Sequence, residues 1–174
     1  MSRNIEIKAR IDDVYALYEK TSSVADEGPT EILQEDVFFN CDNGRLKLRL
    51  FTDGSGELIF YRRSDQAGPK ESFYVRSPTA SPGPLCEALK LAYGEVGRVR
   101  KQRTLFLVGR TRVHLDRVHG LGDFLELEVV MRDEEATDVG VREAYELMQR
   151  LGIGTGQLIE GAYIDLLSAR GRVS

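Results

Sequence analysis

Charged and apolar residues alternate in short segments along most of the chain. The segment Asn4-Ile5-Glu6-Ile7-Lys8 and the later segment Phe124-Leu125-Glu126-Leu127-Glu128-Val129 carry carboxylates at alternating positions. Successive side chains of a strand point to opposite faces of its sheet. Each segment is therefore predicted to be a β-strand whose carboxylates share one face.

The same alternation recurs with basic residues between these two acidic segments. The basic segments are Arg45-Leu46-Lys47-Leu48-Arg49, Tyr61-Arg62-Arg63, Lys101-Gln102-Arg103 and Arg112-Val113-His114-Leu115-Asp116. In a regular strand Arg62 points opposite to Arg63, and hence outward. Bases collected on one face of several strands predict a pocket for a polyanion, and a few carboxylates among them can hold its metal ion.

Eight segments carry the strand pattern and are bounded by turn residues. They are residues 3–9, 31–40, 45–51, 57–63, 72–77, 98–108, 111–118 and 124–131. Hairpin turns are predicted at Asp42-Asn43-Gly44 and Asp53-Gly54-Ser55-Gly56. Further turns are predicted at Gly109 and around Gly120-Leu121-Gly122.

Helical periodicity separates some of these strands. One helix is predicted to open at Asp12 as its N-cap and to end before Gly28-Pro29. A second follows Ser81-Pro82, because an N-cap serine and a first-turn proline favour a helix start there. Thr137 is predicted to cap a third helix that runs to about residue 151, and residues 158–167 form a helical or irregular closing segment.

This order of elements predicts an α+β fold with an eight-stranded antiparallel sheet. Closing the sheet into a barrel would remove its unpaired edges. The charged faces would then line a wet cavity, and helices packed outside would cover the apolar faces. The apolar residues assigned to the covered faces are Leu46, Leu48, Val113, Leu115, Leu125 and Leu127.

Composition is that of a soluble globular protein. The chain has 174 residues, of which 41% are hydrophobic and 30% are charged, and one domain over residues 1–174 is expected. No apolar run approaches the roughly 18 residues of a membrane span. The N-terminus leads into a strand pattern without a secretory signal. We therefore expect no membrane segment and a cytoplasmic location.

The charge and the cysteine content of the chain argue against nucleic-acid binding, a disulfide framework and a zinc site. The net charge of −4 and the pI near 5.3 argue against a nucleic-acid binder, although a local basic cavity would still suit a small anion. The two cysteines, Cys41 and Cys86, lie far apart without a CxxC or Cys/His grouping. Neither a disulfide framework nor a zinc site is predicted.

Like charges on one strand face carry the functional argument. Arg45, Lys47 and Arg49 repel one another unless an anion or acids face them. A cation bound between Glu6, Glu126, Glu128 and Asp116 would relieve the corresponding repulsion among the acids. For a single strand, the alternative is a polar face exposed to solvent. His114 lies in register with Arg112 and Asp116, and we interpret it as a hydrogen-bonded bystander.

Six segments, in their order along the chain, resemble the CYTH superfamily. They are Asn4-Ile5-Glu6-Ile7-Lys8-Ala9, Gln34-Glu35-Asp36-Val37-Phe38-Phe39, Gly44-Arg45-Leu46-Lys47-Leu48-Arg49, Lys101-Gln102-Arg103, His114-Leu115-Asp116 and Glu126-Leu127-Glu128. This superfamily includes class IV adenylyl cyclases, thiamine triphosphatases and inorganic tripolyphosphatases. The resemblance implies an eight-stranded antiparallel tunnel that binds a triphosphate and a divalent cation.

The resemblance also implies roles for single residues. Glu6 resembles the second glutamate of the family's ExExK motif and Lys8 its lysine, while Glu126 and Glu128 resemble a metal-binding pair. Asp116 resembles an acid near the metal site, which makes Glu6, Lys8 and Asp116 the candidate catalytic residues. The implied substrate-binding residues are Lys8, Arg45, Lys47, Arg49, Arg63, Lys101, Arg103 and Arg112.

Two positions depart from the family pattern. Asn4 stands where the motif usually has its first glutamate, which removes one charge from a possible second metal site. Phe38 stands where many relatives have tyrosine, so this chain has no hydroxyl at that position.

The expected function is therefore that of a Mg²⁺- or Mn²⁺-dependent enzyme acting on a triphosphate. Hydrolysis of tripolyphosphate, ATP or thiamine triphosphate is favoured. One alternative is a class IV adenylyl cyclase that converts ATP into cyclic AMP and pyrophosphate. A non-catalytic module that binds polyphosphate or a nucleotide is a second alternative. The physiological substrate, the preferred metal and the oligomeric state stay open.

Overall fold

The computed structural model describes residues 2–171, and over these residues eight strands form one closed antiparallel barrel. The strands are β1 (Ser2–Arg10), β2 (Glu27–Phe39), β3 (Arg45–Phe51), β4 (Gly56–Arg63), β5 (Lys70–Thr79), β6 (Glu95–Val108), β7 (Thr111–Val118) and β8 (Gly122–Val130). Their order around the barrel is β1-β5-β4-β3-β2-β6-β7-β8. The predicted α+β barrel is confirmed.

Helices pack on the outside of the barrel in the described part of the chain. They are α1 (Val14–Val24), α2 (Pro82–Tyr93), α3 (Thr137–Arg150) and α4 (Tyr163–Gly171), with a 3₁₀ turn at Thr155–Gln157. The N-cap of α1 is Asp13 rather than Asp12, because the Asp13 side chain accepts a hydrogen bond from the amide of Tyr15. Ala136, not Thr137, precedes α3 as its N-cap residue.

The second strand is longer than its sequence pattern indicates. It begins at Glu27, so Gly28 and Pro29 lie within β2 rather than in a loop after α1. The reason is its pairing with the long strand β6, which extends to the contact of Glu27 with Leu107. A non-local partner therefore continues the strand through residues that locally favour a turn.

One set of apolar strand side chains forms the core beneath the helices, whereas Ile32, Phe38, Ile59, Val99 and Leu105 line the interior cavity. Ile5 and Ile7 of β1 are fully buried in the cluster that also contains residues of α1 and α3. Leu48 and Phe39 lie under α2 in a second cluster. The charged and polar side chains of the strands lie inside the barrel beside these apolar residues. On β4, accordingly, Arg62 is exposed outside, and Arg63 is buried inside.

Helix α4 lies across one end of the barrel, which we call the capped end. There Ile164 packs against Gly97, and Asp165 pairs with Arg45 at the start of β3. The opposite end, where β1 and β2 begin, is called the open end. Side-chain exposure inside the barrel is 44% for Arg76 and 24% for Arg112 near that end. It falls to 5% for Lys8 and 4% for Lys101 nearer the capped end.

No helix within residues 2–171 is long and apolar enough to span a membrane. The cytoplasmic location stays a prediction. The single domain over residues 1–174 also stays a prediction, and Met1 and residues 172–174 lie outside the described part.

Candidate active site in the tunnel

The barrel encloses a cavity of about 270 Å³. Eight Lys or Arg side chains and four carboxylates line it, so the lining carries four more positive than negative formal charges. The cations are Lys8, Lys47, Arg49, Arg63, Arg76, Lys101, Arg103 and Arg112, and the acids are Glu6, Asp36, Glu126 and Glu128. Every strand contributes at least one of these residues, as the alternation of charged and apolar positions requires.

Asp36 gathers three of the cations into one group. Its carboxylate accepts hydrogen bonds from Lys47 at 2.8 Å and from Arg49 at 2.8 and 3.0 Å, and Lys101 lies 3.8 Å away. The register pairs Asp36 directly with Arg49. Burial acts to raise the pKa of Asp36, but the charges of Arg49, Lys47 and Lys101 hold it well below its usual value. Asp36 therefore stays ionised and compensates charges that would otherwise repel one another.

Two lysines of this group lose part of their affinity for protons. Burial, with the nearby charge of Arg103, lowers the pKa of Lys101 to about 7. Burial, with the charge of Arg49, lowers the pKa of Lys47 to about 8. A polyanion entering the tunnel would stabilise the charged ammonium groups and raise both pKa values.

Glu126 and Glu128 lie side by side on β8 with His114 of β7 facing them. Nδ1 of His114 lies 3.9 Å from Glu126 and 4.0 Å from Glu128. One ligand atom of each of the three residues falls within a group 4.8 Å across. Carboxylate oxygens and imidazole nitrogens are common ligands of divalent ions. The donor set therefore fits a divalent cation.

The same carboxylates are neutralised by tunnel cations. Glu126 lies 3.6 Å from both Lys8 and Arg103, and Glu128 pairs with Arg112 at 2.9 Å. Burial acts to raise the pKa of Glu126, but the charges of Lys8 and Arg103 hold it well below its usual value. The Glu126 carboxylate is therefore ionised, as a metal ligand must be, and is paired with these two cations.

Glu6 lies on β1, where the register pairs it with Glu128 of β8. It is not part of the group formed by His114, Glu126 and Glu128. Its carboxylate instead accepts a hydrogen bond from Arg63, which also donates to the Gly161 carbonyl at 2.8 Å. The structure therefore brings Glu6 next to the metal candidates but gives it a separate partner.

Asp116 lies behind the cavity wall rather than in its lining, and it is fully buried. It accepts two hydrogen bonds of 2.7 Å from Arg103 and one of 2.8 Å from the Tyr163 hydroxyl. Burial acts to raise the pKa of Asp116, but Arg103 lowers it to about 2. Both oxygens are occupied in positioning Arg103 and α4, so the metal and catalytic roles of Asp116 stay predictions.

Arg45 is also outside the cavity lining. Its guanidinium pairs with Asp165 of α4 at 2.6 Å, on the capped end of the barrel. Its role as a substrate-binding residue stays a prediction. The other implied substrate-binding residues are brought together around the cavity.

Tyr163 and Asp36 are site residues that sequence reasoning did not select. The ring of Tyr163 lies under Lys8 with the ammonium 3.8 Å from the ring centre, close enough for a cation–π interaction. Its position on a helix at the end of the chain gives no local sign of this contact. Asp36 was detectable in principle, because it alternates with Gln34 and Phe38 on one strand face.

A family model supplies the identification. The CYTH domain model matches residues 2–163 of the chain. This chain belongs to the CYTH family. Among CYTH relatives, an adenylate cyclase of Aeromonas hydrophila is 27% identical over 179 aligned residues, which cover 93% of this chain and 87% of the relative.

Solved structures share the same fold. A Pyrococcus horikoshii protein superposes with a TM-score of 0.84 at 24% identity, covering 94% of this chain and 98% of that one. A Hippeastrum protein superposes with a TM-score of 0.68 at 16% identity, covering 98% of this chain and 96% of that one. The latter is an adenylyl cyclase candidate whose dominant activity is described as that of a triphosphatase. The CYTH resemblance inferred from the sequence is confirmed.

Proposed function

We propose that this CYTH protein is a divalent-metal-dependent enzyme that binds a triphosphate in its tunnel and hydrolyses it. The observation that carries the proposal is the enclosure of eight Lys or Arg side chains with four carboxylates in one cavity. Burying so many cations is unfavourable unless anions compensate them. The four acids of the lining, together with Asp116 beside Arg103 and Glu57 beside Arg76, match six of these eight charges. The remaining excess is available to a polyanionic substrate.

Two groups of residues divide the work. Phosphate oxygens would be bound by Lys8, Lys47, Arg49, Arg63, Lys101, Arg103 and Arg112, with Arg45 at the capped end. The cation would be held by Glu126 and Glu128, with Glu6 close by. A bound Mg²⁺ or Mn²⁺ supplies charge neutralisation at the phosphate oxygens. The Lys and Arg side chains stabilise the charge that develops on the leaving phosphate, which is the main requirement of phosphoryl transfer.

Binding of a triphosphate and a metal ion in this tunnel would exchange one set of ion pairs for another. Without ligands, Lys8 and Arg103 face Glu126, and Arg112 pairs with Glu128. When these cations turn to phosphate oxygens, the carboxylates lose their partners and attract the metal ion. Each ligand therefore prepares the site for the other.

Hydrolysis needs water as the only second reactant, and the Hippeastrum fold neighbour described as a dominant triphosphatase supports it. Inorganic tripolyphosphate, ATP and thiamine triphosphate all carry the required phosphate chain. Cyclisation of ATP is the second candidate, supported by the Aeromonas hydrophila relative named as an adenylate cyclase. In that reaction the ribose 3′-hydroxyl attacks the α-phosphorus, and pyrophosphate leaves.

A product-resolved assay tests the proposal. Purified protein would be offered tripolyphosphate, ATP and thiamine triphosphate with Mg²⁺ or Mn²⁺, and orthophosphate would be separated from cyclic AMP and pyrophosphate. Orthophosphate release that Glu126→Gln abolishes would support the hydrolase. Cyclic AMP would support the second candidate. Tight binding of all three compounds without any product would leave a non-catalytic binding module.

A further inference from the structure

His114 is a buried side chain whose Nδ1 makes no hydrogen bond. The residue is only 5% exposed, and Nδ1 has no hydrogen-bond partner in the described structure. The atom faces Glu126 at 3.9 Å and Glu128 at 4.0 Å, beyond the roughly 2.7–3.2 Å of a hydrogen bond. Buried polar atoms without partners are rare in proteins, so this one points to a missing ligand.

The separations suit atoms that share one cation. Nitrogen and oxygen ligands lie about 2.0–2.2 Å from a divalent ion such as Zn²⁺, so two ligands of one ion lie up to about 4 Å apart. Neighbouring strands hold the three residues in place, because the register pairs His114 directly with Glu126. The arrangement is therefore built into the barrel rather than into a loop.

A second unpartnered atom lies on the adjoining strand. Oδ1 of Asn4 is buried and has no hydrogen-bond partner within the described residues. Asn4 is paired with Val130 on β8, two residues beyond Glu128. The Asn4 side chain is neutral. A cation bound here would therefore meet less negative charge than it would if a glutamate stood at position 4.

We propose that His114 is a ligand of the tunnel cation together with Glu126 and Glu128, and that its nitrogen makes the site prefer a transition-metal ion such as Co²⁺ over Mg²⁺. Mg²⁺ binds through oxygen and keeps several waters, whereas imidazole nitrogen favours the later first-row ions. The inference rests on the proposed function only for the role of the metal in the reaction. The coordination itself stands on the geometry of the three side chains.

Calorimetric titration with CoCl₂ and with MgCl₂, in the absence of any phosphate compound, tests the preference. The wild-type protein should bind Co²⁺ at least about tenfold more tightly than Mg²⁺. His114→Gln should lose most of that preference, while His119→Gln, which removes an exposed histidine, should keep it. Equal Co²⁺ affinity of His114→Gln and the wild type would overturn the inference.

A direct readout keeps the inference testable if His114→Gln does not fold. X-ray absorption of Co²⁺ bound to the wild type and to His119→Gln should show the scattering pattern of a coordinated imidazole. Its absence from both would remove His114 from the metal site. Neither measurement includes a substrate, so triphosphate hydrolysis with Mg²⁺ alongside such a negative result would refute this inference and leave the proposed function standing.

Discussion

Lys101 is a buried tunnel residue whose charge is expected to respond to ligand binding. It is nearly inaccessible to solvent, with Asp36 3.8 Å away and the centre of the Tyr163 ring 5.1 Å away. Its pKa of about 7 in the ligand-free protein leaves the ammonium partly deprotonated near neutral pH. A neighbouring phosphate would restore the full charge.

We expect the affinity for tripolyphosphate, measured without metal, to fall as the pH rises above about 7. Binding raises the pKa of Lys101, so the bound state takes up a proton at that pH, and the loss continues up to the higher pKa of the complex. Calorimetry between about pH 6 and about pH 9 would measure it. Lys101→Arg, which keeps its charge, should flatten the profile relative to the wild type. Parallel profiles of the two proteins would contradict the assignment.

In the ligand-free protein, the contribution of Lys101 makes the folded state more stable as the pH rises, which is opposite to its effect on ligand affinity. Its folded pKa lies below the ordinary value of 10.5, so the buried ammonium lowers stability most below pH 7. That unfavourable contribution fades as the pH rises from about 7 towards 10.5.

Neutralising Lys47 should weaken triphosphate binding directly. A hydrogen bond to a charged group contributes about 1.5–3 kcal/mol, so Lys47→Gln is expected to lower the affinity for tripolyphosphate about 10- to 100-fold. Arg62→Gln is the matched control, because Arg62 is an exposed cation on the outer face of the adjacent strand β4. Equal affinities of the two variants in the same calorimetric assay would remove Lys47 from the binding site.

At the scale of elements, α3 approaches the barrel through a glycine. A Cβ atom added at Gly140 would lie 2.7 Å from Cγ1 of Ile5 and closer still to the sulfur of Met131. Ile5 is fully buried on β1, so it has no room to withdraw. The helix can pack at this distance only because position 140 has no side chain.

Gly140→Ala should lower the free energy of unfolding by about 1–3 kcal/mol, the usual cost of overpacking a core. Alanine improves helix propensity by up to about 1 kcal/mol, but the clash with Ile5 outweighs that gain. Gly83→Ala in α2 is the control, since its new Cβ would meet no atom within 4 Å. Denaturant unfolding of both variants would measure the difference. A Gly140→Ala protein as stable as the wild type would contradict the close packing of α3.

The charge of the tunnel opposes that of the whole molecule. The chain carries a net charge of −4, while the cavity lining has four more positive than negative charges. Most acids of the chain lie outside the tunnel and keep the protein anionic, while Asp116 and Glu57 pair with the lining cations Arg103 and Arg76. A bound triphosphate would further relieve the repulsion among the interior cations.

Metal and triphosphate should bind with positive coupling. Because the cations proposed to bind phosphate also neutralise Glu126 and Glu128, each ligand should strengthen the binding of the other about 5- to 150-fold, the usual range of such couplings. The affinity for a non-hydrolysable imidotriphosphate would be measured with and without Mg²⁺, corrected for the complex that the two form in solution. Glu126→Gln should lose most of the coupling. Independent binding in the wild type would contradict the exchange of partners.

Local alternation determined much of the molecule without any tertiary information. A strand places every second residue on one face, so the pattern alone predicts that Glu6, Lys8 and Arg63 share the interior and that Arg62 does not. The order of the charged strands along the chain was also the basis for predicting the barrel and the family resemblance. These features depend on neighbours in the sequence, which is why the sequence revealed them.

Only the tertiary structure decided which charges meet. Asp116 does not line the cavity and accepts hydrogen bonds from Arg103 and Tyr163. Arg45 pairs with Asp165 of α4. His114 came to face two carboxylates without a hydrogen bond at Nδ1. The contacts of Tyr163 with Asp116 and of Arg45 with Asp165 join elements far apart in the chain, and the contacts within the β6–β7 and β7–β8 hairpins depend on strand register. Alternation fixes the face of a residue, but not the neighbour that this face will meet.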